Sequence, residues 1–321
     1  MPRSCVILVR TAWHATYMTT QTPVIIEVAL NGVTSRRRNP QVPVTVQEHA
    51  ADALACVAAG ATIVHTHAPN LVVDAEEAAA QYATAFRPVV AQHPGIVCYP
   101  TVGFGPTVED RYRHVELLDD MGLVRAGAVD TGSVNLGGTG PDGLPPASEY
   151  VYTNPFAKIR YEMDVCAARG LGPSISIFEP GFLQVVLAYA RRDALPKGSL
   201  VKFYFAGGGY LGGGDPLWGS PPIVEALDLF LAMLGDTQVP WAVAVLGGSL
   251  LDTPIAVAAL ERGGHLRVGI EDWDDGPSNV EQVAAAVACC ADVGRRVATI
   301  ADADQLLGIP KSPCAPAARP L

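Results

Sequence analysis

Short apolar segments alternate with amphipathic ones along the whole chain, and this alternation restricts the fold more than any other feature. Val24 to Leu30 predicts a strand, and Thr45 to Ala59 predicts a helix that begins with a capping box of Thr45 and Glu48. About eight such pairs follow one another. Strands that are apolar on both faces suit a parallel sheet covered by helices. The pattern therefore predicts an α/β fold, a (β/α)8 TIM barrel, with a doubly wound open sheet as the alternative.

The chain shows no internal boundary that would divide it into two domains. No G-x-G-x-x-G segment follows the first strand, which disfavours the dinucleotide-binding form of the open sheet. We predict a short N-terminal arm (1–22), a single barrel domain (23–310) and a C-terminal tail (311–321). We also predict a long final helix from Ser278 to Val297.

Composition excludes several classes of function. The chain has 321 residues, of which 49% are hydrophobic, and a net charge of −10. A chain this apolar can bury a large core, and its acidic balance argues against binding to nucleic-acid phosphates. No apolar run reaches the roughly 20 residues that a membrane span needs. Seven scattered cysteines without C-x-x-C spacing indicate free thiols, so we expect a cytoplasmic protein with no nucleic-acid or membrane partner.

Polar residues collect where the predicted strands end. In a TIM barrel the carboxyl ends of the strands form the face that carries the chemistry. A random distribution would not place so many polar groups at one rim. These residues are Asn31, His65, His67, Thr101, Asp130, Glu179, Glu271 and Asp272.

His65 and His67 lie two residues apart at the end of a predicted strand, so their side chains project from the same face. Two imidazoles placed in this way can bind one metal ion, and Glu271, at the end of the last strand, is the best candidate for a third ligand. The alternatives are two ordinary structural histidines and a carboxylate that caps a helix or forms a salt bridge.

Asp272 and Arg267 are candidates for a catalytic pair. Asp272 directly follows Glu271 and therefore points in another direction, and Arg267 lies within the same predicted strand. A buried arginine needs a carboxylate partner, and either Asp272 or Asp130 could provide it. A paired aspartate is usually structural, but beside a metal ion it can also act as a general base.

Two segments identify the chain as resembling the β-keto acid cleavage enzyme family. They are Ala59-Gly60-Ala61-Thr62-Ile63-Val64-His65-Thr66-His67 and Gly263-Gly264-His265-Leu266-Arg267-Val268-Gly269-Ile270-Glu271-Asp272, and Asn39-Pro40-Gln41-Val42-Pro43-Val44-Thr45 supports them. The resemblance extends from Pro23 to about Gly308. It implies a TIM barrel that holds zinc, or another divalent cation, and assembles as a homo-oligomer, a dimer or a tetramer.

The same resemblance implies a reaction and a set of residue roles. A β-keto acid reacts with acetyl-CoA, the co-substrate, and gives acetoacetate and a new acyl-CoA by a retro-Claisen route. No residues are assigned to binding the CoA. By similarity, the zinc ligands are His65, His67 and Glu271; the catalytic residues are Asp272 as the base, Arg267 and Thr101; and the substrate-binding residues are Asn31, Thr34, Gly103 and Asp130.

Three positions depart from the family pattern. Pro69 replaces an arginine that commonly follows the second histidine, Thr34 replaces a glutamate that binds a substrate amine, and Gly248-Ser249-Leu250 replaces an arginine-histidine-glutamine segment. We therefore expect a neutral or apolar β-keto acid rather than a cationic one. Two alternatives stay open for the reaction: a different acyl acceptor, or loss of the condensation between the β-keto acid and acetyl-CoA.

Two other functions are compatible with the residues. One is a metal-dependent hydrolase or lyase on a TIM barrel, although hydrolases with H-x-H need further histidines on the middle strands, and none lies between His114 and His265. The other is a non-catalytic barrel that binds a small acid.

Overall fold

The computed structural model describes residues 22–209 and 214–310. Its strands are β1 (Ile26–Ala29), β2 (Ile63–Thr66), β3 (Val97–Pro100), β4 (Ala126–Asp130), β5 (Gly172–Ile177), β6 (Leu200–Ala206), β7 (Trp241–Leu246) and β8 (His265–Val268). Within this part of the chain the helices are α1 (Val46–Ala59), α2 (Ala75–Gln92), α3 (Val108–Asp120), α4 (Phe156–Arg169), α5 (Pro180–Ala190), α6 (Val224–Leu234), α7 (Pro254–Glu261), α8 (Asn279–Asp292) and α9 (Ile300–Leu307).

The strands form one parallel sheet that curls into a nearly closed barrel. Its order is β3-β2-β1-β8-β7-β6-β5-β4, so that β8 pairs with β1. The two ends of the sheet meet where the backbone N–H of Arg125 donates to the carbonyl of Cys98 at 3.3 Å. The predicted (β/α)8 TIM barrel is confirmed.

The chain after β8 differs from the prediction. The final long helix does not continue to Val297: α8 ends at Asp292, and Gly294 turns the backbone at a φ of 77°. Val297 then pairs with Val24, and α9 follows as a separate helix. Ala303 and Leu307 of α9 are buried in the cluster that contains Ile25 at the amino end of the barrel. A ninth helix therefore closes the end of the barrel opposite to the strand carboxyl ends.

Strand register decides which side chains enter the barrel. Glu27 of β1 is level with Arg267 of β8, and His65 of β2 is level with Tyr99 of β3. Neighbours at the same level of a parallel sheet point to the same face. These four side chains are all buried, and Tyr99 contacts the other three in the barrel interior.

The predicted tail (311–321) and nearly all of the predicted arm lie outside the described residues. No helix in the ranges 22–209 and 214–310 is both long and apolar enough to cross a membrane.

Candidate metal centre

The carboxyl ends of β2 and β8 bring three potential metal ligands together. Nε2 of His65 lies 3.4 Å from Oε2 of Glu271, and Nε2 of His67 lies 3.5 Å from Oε1. One ligand atom from each residue lies within 4.8 Å of the other two, and this is the one such group that the described residues contain. The structure therefore brings together the ligand set predicted from the sequence.

The ring of His65 is held in the orientation that a ligand requires. Its Nδ1 donates to the backbone carbonyl of Tyr99 at 3.2 Å, and the ring stacks on the Tyr99 ring with centroids 4.4 Å apart. Burial lowers the pKa of His65 to about 3, so the imidazole is neutral. A hydrogen bond from one ring nitrogen to a carbonyl leaves the other nitrogen, Nε2, free to bind a metal ion.

Asn31 fixes the backbone around His67. The His67 N–H donates to Oδ1 of Asn31 at 2.9 Å, and Nδ2 of Asn31 donates to the His67 carbonyl at 3.0 Å. The hydroxyl of Thr66 also donates to Oδ1, at 2.8 Å. The polar atoms of Asn31, a predicted substrate-binding residue, are thus engaged with the backbone and side chains of the segment that carries the two histidines.

Gly32 contributes to the site by its lack of a side chain, a role that was not predicted from the sequence. Its φ is 52°, and a Cβ at this position would lie 2.6 Å from Cγ of Glu271. Glycine adopts this left-handed conformation without steric cost. The Asn31-Gly32 turn, readable in the sequence, was the signal that could have identified this contact.

Two side chains of α8 accept hydrogen bonds from the turn that carries Glu271, and this role was not predicted from the sequence. Oδ1 of Asn279 accepts from the Ile270 N–H at 2.8 Å, and Oε1 of Gln282 accepts from the Gly269 N–H at 3.0 Å. Both side chains are buried. Because their partners come directly before Glu271, these bonds define where its carboxylate points.

The carboxylate of Glu271 has the character of a metal ligand. Its Oε2 is buried and accepts no hydrogen bond from the described residues, although two imidazole nitrogens lie nearby. An unsatisfied buried carboxylate oxygen is costly in a protein interior. Two imidazoles and one carboxylate form a donor set that suits zinc and leaves a further coordination position open. The residues therefore fit a divalent cation.

Arg267 joins the predicted base to the ligand cluster. Its Nε and Nη2 each donate to a carboxylate oxygen of Asp272 at 3.0 Å. Nη2 also lies 2.9 Å from Oε1 of Glu271. Burial raises the pKa of Asp272 to about 6, and the charge of Arg267 opposes that rise. A carboxylate with such a pKa is ionised at neutral pH and basic enough to accept a proton.

A buried charge network lies beneath this pair. Nη1 of Arg267 donates to Oε1 of Glu27 at 2.5 Å, and Nζ of Lys202 donates to the same oxygen at 3.2 Å. Lys202 also donates to the Tyr99 hydroxyl at 2.7 Å, and that hydroxyl donates to Glu27 at 2.5 Å. Burial alone would raise the pKa of Glu27, but the two cations outweigh it and hold the pKa at about 2.

The other predicted site residues lie at the rim. The Thr101 carbonyl accepts from Nε2 of His114 at 2.8 Å, and the Thr34 hydroxyl is 3.5 Å from the Ile270 carbonyl. The Gly103 N–H donates to the Arg111 carbonyl at 2.8 Å. Asp130 accepts a hydrogen bond from the Tyr152 hydroxyl. Asp130 ends β4, which lies four strands from β8 around the barrel.

Comparison with known proteins decides the family. A model of the beta-keto acid cleavage enzyme family matches residues 23–309. The chain belongs to the β-keto acid cleavage enzyme family. This confirms the resemblance inferred from the two segments that carry His65, His67, Glu271 and Asp272, and it identifies the protein as an enzyme.

Relatives in this family cover most of the chain. The 3-keto-5-aminohexanoate cleavage enzyme of Fusobacterium nucleatum is 28% identical over 297 residues, which are 89% of this chain and 98% of the relative. The 3-oxoadipate:acetyl-CoA acetyltransferase of Cupriavidus necator is 28% identical over 299 residues, 90% of this chain and 95% of the relative. Among solved structures, ObcA in a binary complex with oxaloacetate has a TM-score of 0.64 at 16% identity. The match covers 84% of this chain and 68% of that one. At this identity the likeness shows the fold alone.

Proposed function

We propose that this family member converts a β-keto acid and acetyl-CoA into acetoacetate and a new acyl-CoA. The observation that carries the proposal is the convergence of His65, His67 and Glu271, with an unsatisfied carboxylate oxygen, beside the pair of Arg267 and Asp272. The names of the relatives support the same reaction, since one is a 3-oxoadipate:acetyl-CoA acetyltransferase.

His65, His67 and Glu271 would hold zinc or another divalent cation, and such an ion would act as a Lewis acid that stabilises negative charge on the oxygens of the keto acid. Asp272 accepts the proton from C2 of the substrate. Arg267 orients the Asp272 carboxylate through two hydrogen bonds and keeps it ionised. Thr101, at the end of β3, is the proposed polar contact to developing charge.

The bonds then change in a balanced order. The C2–H electron pair forms a new bond to the acetyl carbon, and the thioester expels the CoA thiolate. The thiolate adds to the former keto carbon. Scission of the bond between that carbon and C2 releases acetoacetate, with the electron pair leaving on C2, which takes up a proton. The acyl-CoA product retains the remainder of the substrate.

We further propose an uncharged substrate side chain. The Tyr204 ring centroid lies 5.4 Å from Cζ of Arg267, and the Tyr204 ring stacks on Phe178 at 4.9 Å. Trp218 meets Phe178 edge to face at 5.6 Å. These rings form an apolar wall that begins at Arg267. Asn31, Thr34, Gly103 and Asp130 are the proposed substrate-binding residues at the rim, and Thr34 offers no carboxylate to a cationic group.

The compartment and assembly are also proposals. Five of the seven cysteines lie in the described residues and are free thiols, which suits the reducing cytoplasm: Cys56, Cys98, Cys166, Cys289 and Cys290. We propose a homo-oligomer, a dimer or a tetramer, which sedimentation velocity would measure.

The test is a panel of β-keto acids incubated with acetyl-CoA and zinc-loaded protein, with acetoacetate measured by mass spectrometry. We expect acetoacetate from the wild type and from His93→Ala, a control at the end of α2, but not from His67→Ala. Metal content, measured by elemental analysis, should fall only in His67→Ala. Absence of acetoacetate across the panel would overturn the proposal. Ester cleavage without CoA would favour the hydrolase, and ligand binding without turnover would favour the binding barrel.

A further inference from the structure

Asn279 of α8 connects the two segments that carry His65 and Glu271. Its Nδ2 donates to the Leu30 carbonyl at 2.8 Å, and its Oδ1 accepts from the Ile270 N–H at 2.8 Å. The Leu30 N–H in turn donates to the His65 carbonyl at 2.9 Å. Ile270 directly precedes Glu271. A continuous series of hydrogen bonds and peptide units therefore links one histidine ligand to the carboxylate ligand.

We propose that Asp52 of α1 is a positioning residue of the metal centre, and that it acts through Asn279. The inference rests on the proposed function, because it takes His65 and Glu271 to be metal ligands. Oδ2 of Asp52 accepts from Nδ2 of Asn279 at 2.6 Å, which is shorter than either bond from Asn279 to the backbone. Asp52 is half-buried where α1 packs against α8.

The chemistry of Asp52 determines which way round the Asn279 amide lies. An ionised carboxylate only accepts hydrogen bonds, so it must face the amide NH2 group, and the Leu30 carbonyl has the same requirement. The amide oxygen is then left to face the Ile270 N–H. A reversed amide would place an NH2 group against that N–H, where two donors repel. The charge of Asp52 strengthens its bond to Asn279 and so favours the observed arrangement.

Burial makes the Asp52 carboxylate difficult to replace. The Asn279 side chain is only 1% exposed, so loss of Asp52 would leave a buried N–H of the amide without an acceptor, which is costly. The amide gains a new acceptor only by moving, and movement disturbs its two bonds to the backbone. The bond from the Gly269 N–H to Gln282 is not affected, so we expect a displaced Glu271 rather than loss of the turn.

The experiment compares Asp52→Leu and Asp52→Asn with the wild type. Leucine removes the acceptor and suits a helix, whereas asparagine keeps an oxygen that can accept from Asn279. We expect Asp52→Leu to lower the affinity for zinc about tenfold, as when residues that orient metal ligands are changed, and Asp52→Asn to stay within about threefold of the wild type. Competition with a fluorescent chelator measures the affinity.

Asp119→Leu is the matched control for a general loss of stability. Asp119 is also half-buried on a helix, and it accepts from Nη1 of Arg169 at the end of α4, away from the metal centre. Thermal unfolding should show a loss of stability in this variant, but its zinc affinity should equal that of the wild type. Equal zinc affinity in the two leucine variants overturns the inference. A loss in Asp52→Asn as large as in Asp52→Leu also overturns it.

Amide hydrogen exchange separates this inference from the proposed function, because it needs neither zinc nor turnover. If Asp52 anchors Asn279, the Ile270 N–H should exchange about fivefold faster in Asp52→Leu, and at the wild-type rate in Asp119→Leu. Mass spectrometry of peptides that contain Ile270 measures this rate, and unchanged protection overturns the inference.

A wild type that binds no zinc would overturn the metal centre of the proposed function, and the exchange rate at Ile270 would then decide whether Asp52 holds Asn279. If Asp52→Leu does not fold, Asp52→Ala replaces it in both measurements, with the same expected results.

Discussion

Arg267 binds Asp272 through a bidentate pair of hydrogen bonds, in which Nε and Nη2 each lie 3.0 Å from a different carboxylate oxygen. The same guanidinium touches Glu271 and Glu27. One planar cation therefore sets the relative positions of the proposed base and of a proposed metal ligand. An ammonium group cannot reproduce this arrangement, because it has no fork of parallel donors.

Arg267→Lys tests this relationship. The charge is kept, but the two-point contact is lost, so we expect kcat to fall by about a hundredfold while the metal content is retained. The matched control is Arg262→Lys, because Arg262 forms a surface ion pair with Asp228 at 3.0 Å. Steady-state kinetics and elemental analysis measure both quantities. Full activity of Arg267→Lys would show that charge alone is sufficient.

Gly32→Ala is expected to disturb the metal centre without touching a ligand. An added Cβ would lie 2.6 Å from Cγ of Glu271, so the Glu271 side chain must shift from its position beside the two histidines. We expect the affinity for zinc to fall by about tenfold or more, as when residues that orient metal ligands are changed. Competition with a fluorescent chelator measures that affinity.

Gly143→Ala separates this contact from backbone strain. Gly143 also has a left-handed backbone, with a φ of 78°, but an added Cβ there meets nothing within 4 Å. Both variants carry the cost of alanine at positive φ. Only Gly32→Ala should lose zinc affinity, and equal losses in the two variants would contradict the prediction.

The features of the fold and of the site that were predicted correctly are those that depend on local sequence patterns. Strand and helix periodicity gave the barrel, and the spacing of His65 and His67 predicted a shared face, because both signals are local. The network of Glu27, Tyr99 and Lys202 was not predicted. These residues lie in the middle of apolar strands, and only the register of three distant strands brings their side chains to one place. The final helix was predicted to reach Val297 because the polar and apolar pattern continues past Gly294, where the structure ends α8, and α9 was not predicted.

Glu162 of α4 predicts a pH dependence of stability. Its carboxyl is fully buried, accepts no hydrogen bond from the described residues and lies 3.4 Å from Nζ of Lys158. Burial raises its pKa to about 8, from an ordinary value of 4.5. An acid whose pKa is raised by folding binds its proton more tightly when folded. Its contribution to stability is therefore lost as the pH rises from about 4.5 to about 8.

Glu162→Gln removes this ionisation and keeps the shape of the side chain. We expect the unfolding midpoint of the variant to exceed that of the wild type by about 2 °C or more at pH 8, with the gain shrinking towards pH 4.5. Scanning calorimetry across this range measures the difference. Glu149→Gln, at an exposed position, is the control and should follow the wild type. A gain that is independent of pH would contradict the assignment.

Glu27 and Lys202 form a buried ion pair whose strength a double-mutant cycle can measure. Both are almost fully buried, and Oε1 of Glu27 lies 3.2 Å from Nζ of Lys202. Removing either charge leaves the other group buried with less compensation. We therefore expect Glu27→Gln and Lys202→Met each to lower the free energy of unfolding by about 3–5 kcal/mol.

The double variant Glu27→Gln/Lys202→Met should be less destabilised than the sum of the two single variants, by about 1 kcal/mol or more. Urea denaturation gives the four free energies. The same cycle on the exposed pair of Arg262 and Asp228, with Arg262→Met and Asp228→Asn, should give a coupling below about 1 kcal/mol. Strict additivity at Glu27 and Lys202 would contradict the prediction and would mean that Arg267 and Tyr99 alone balance the Glu27 carboxylate.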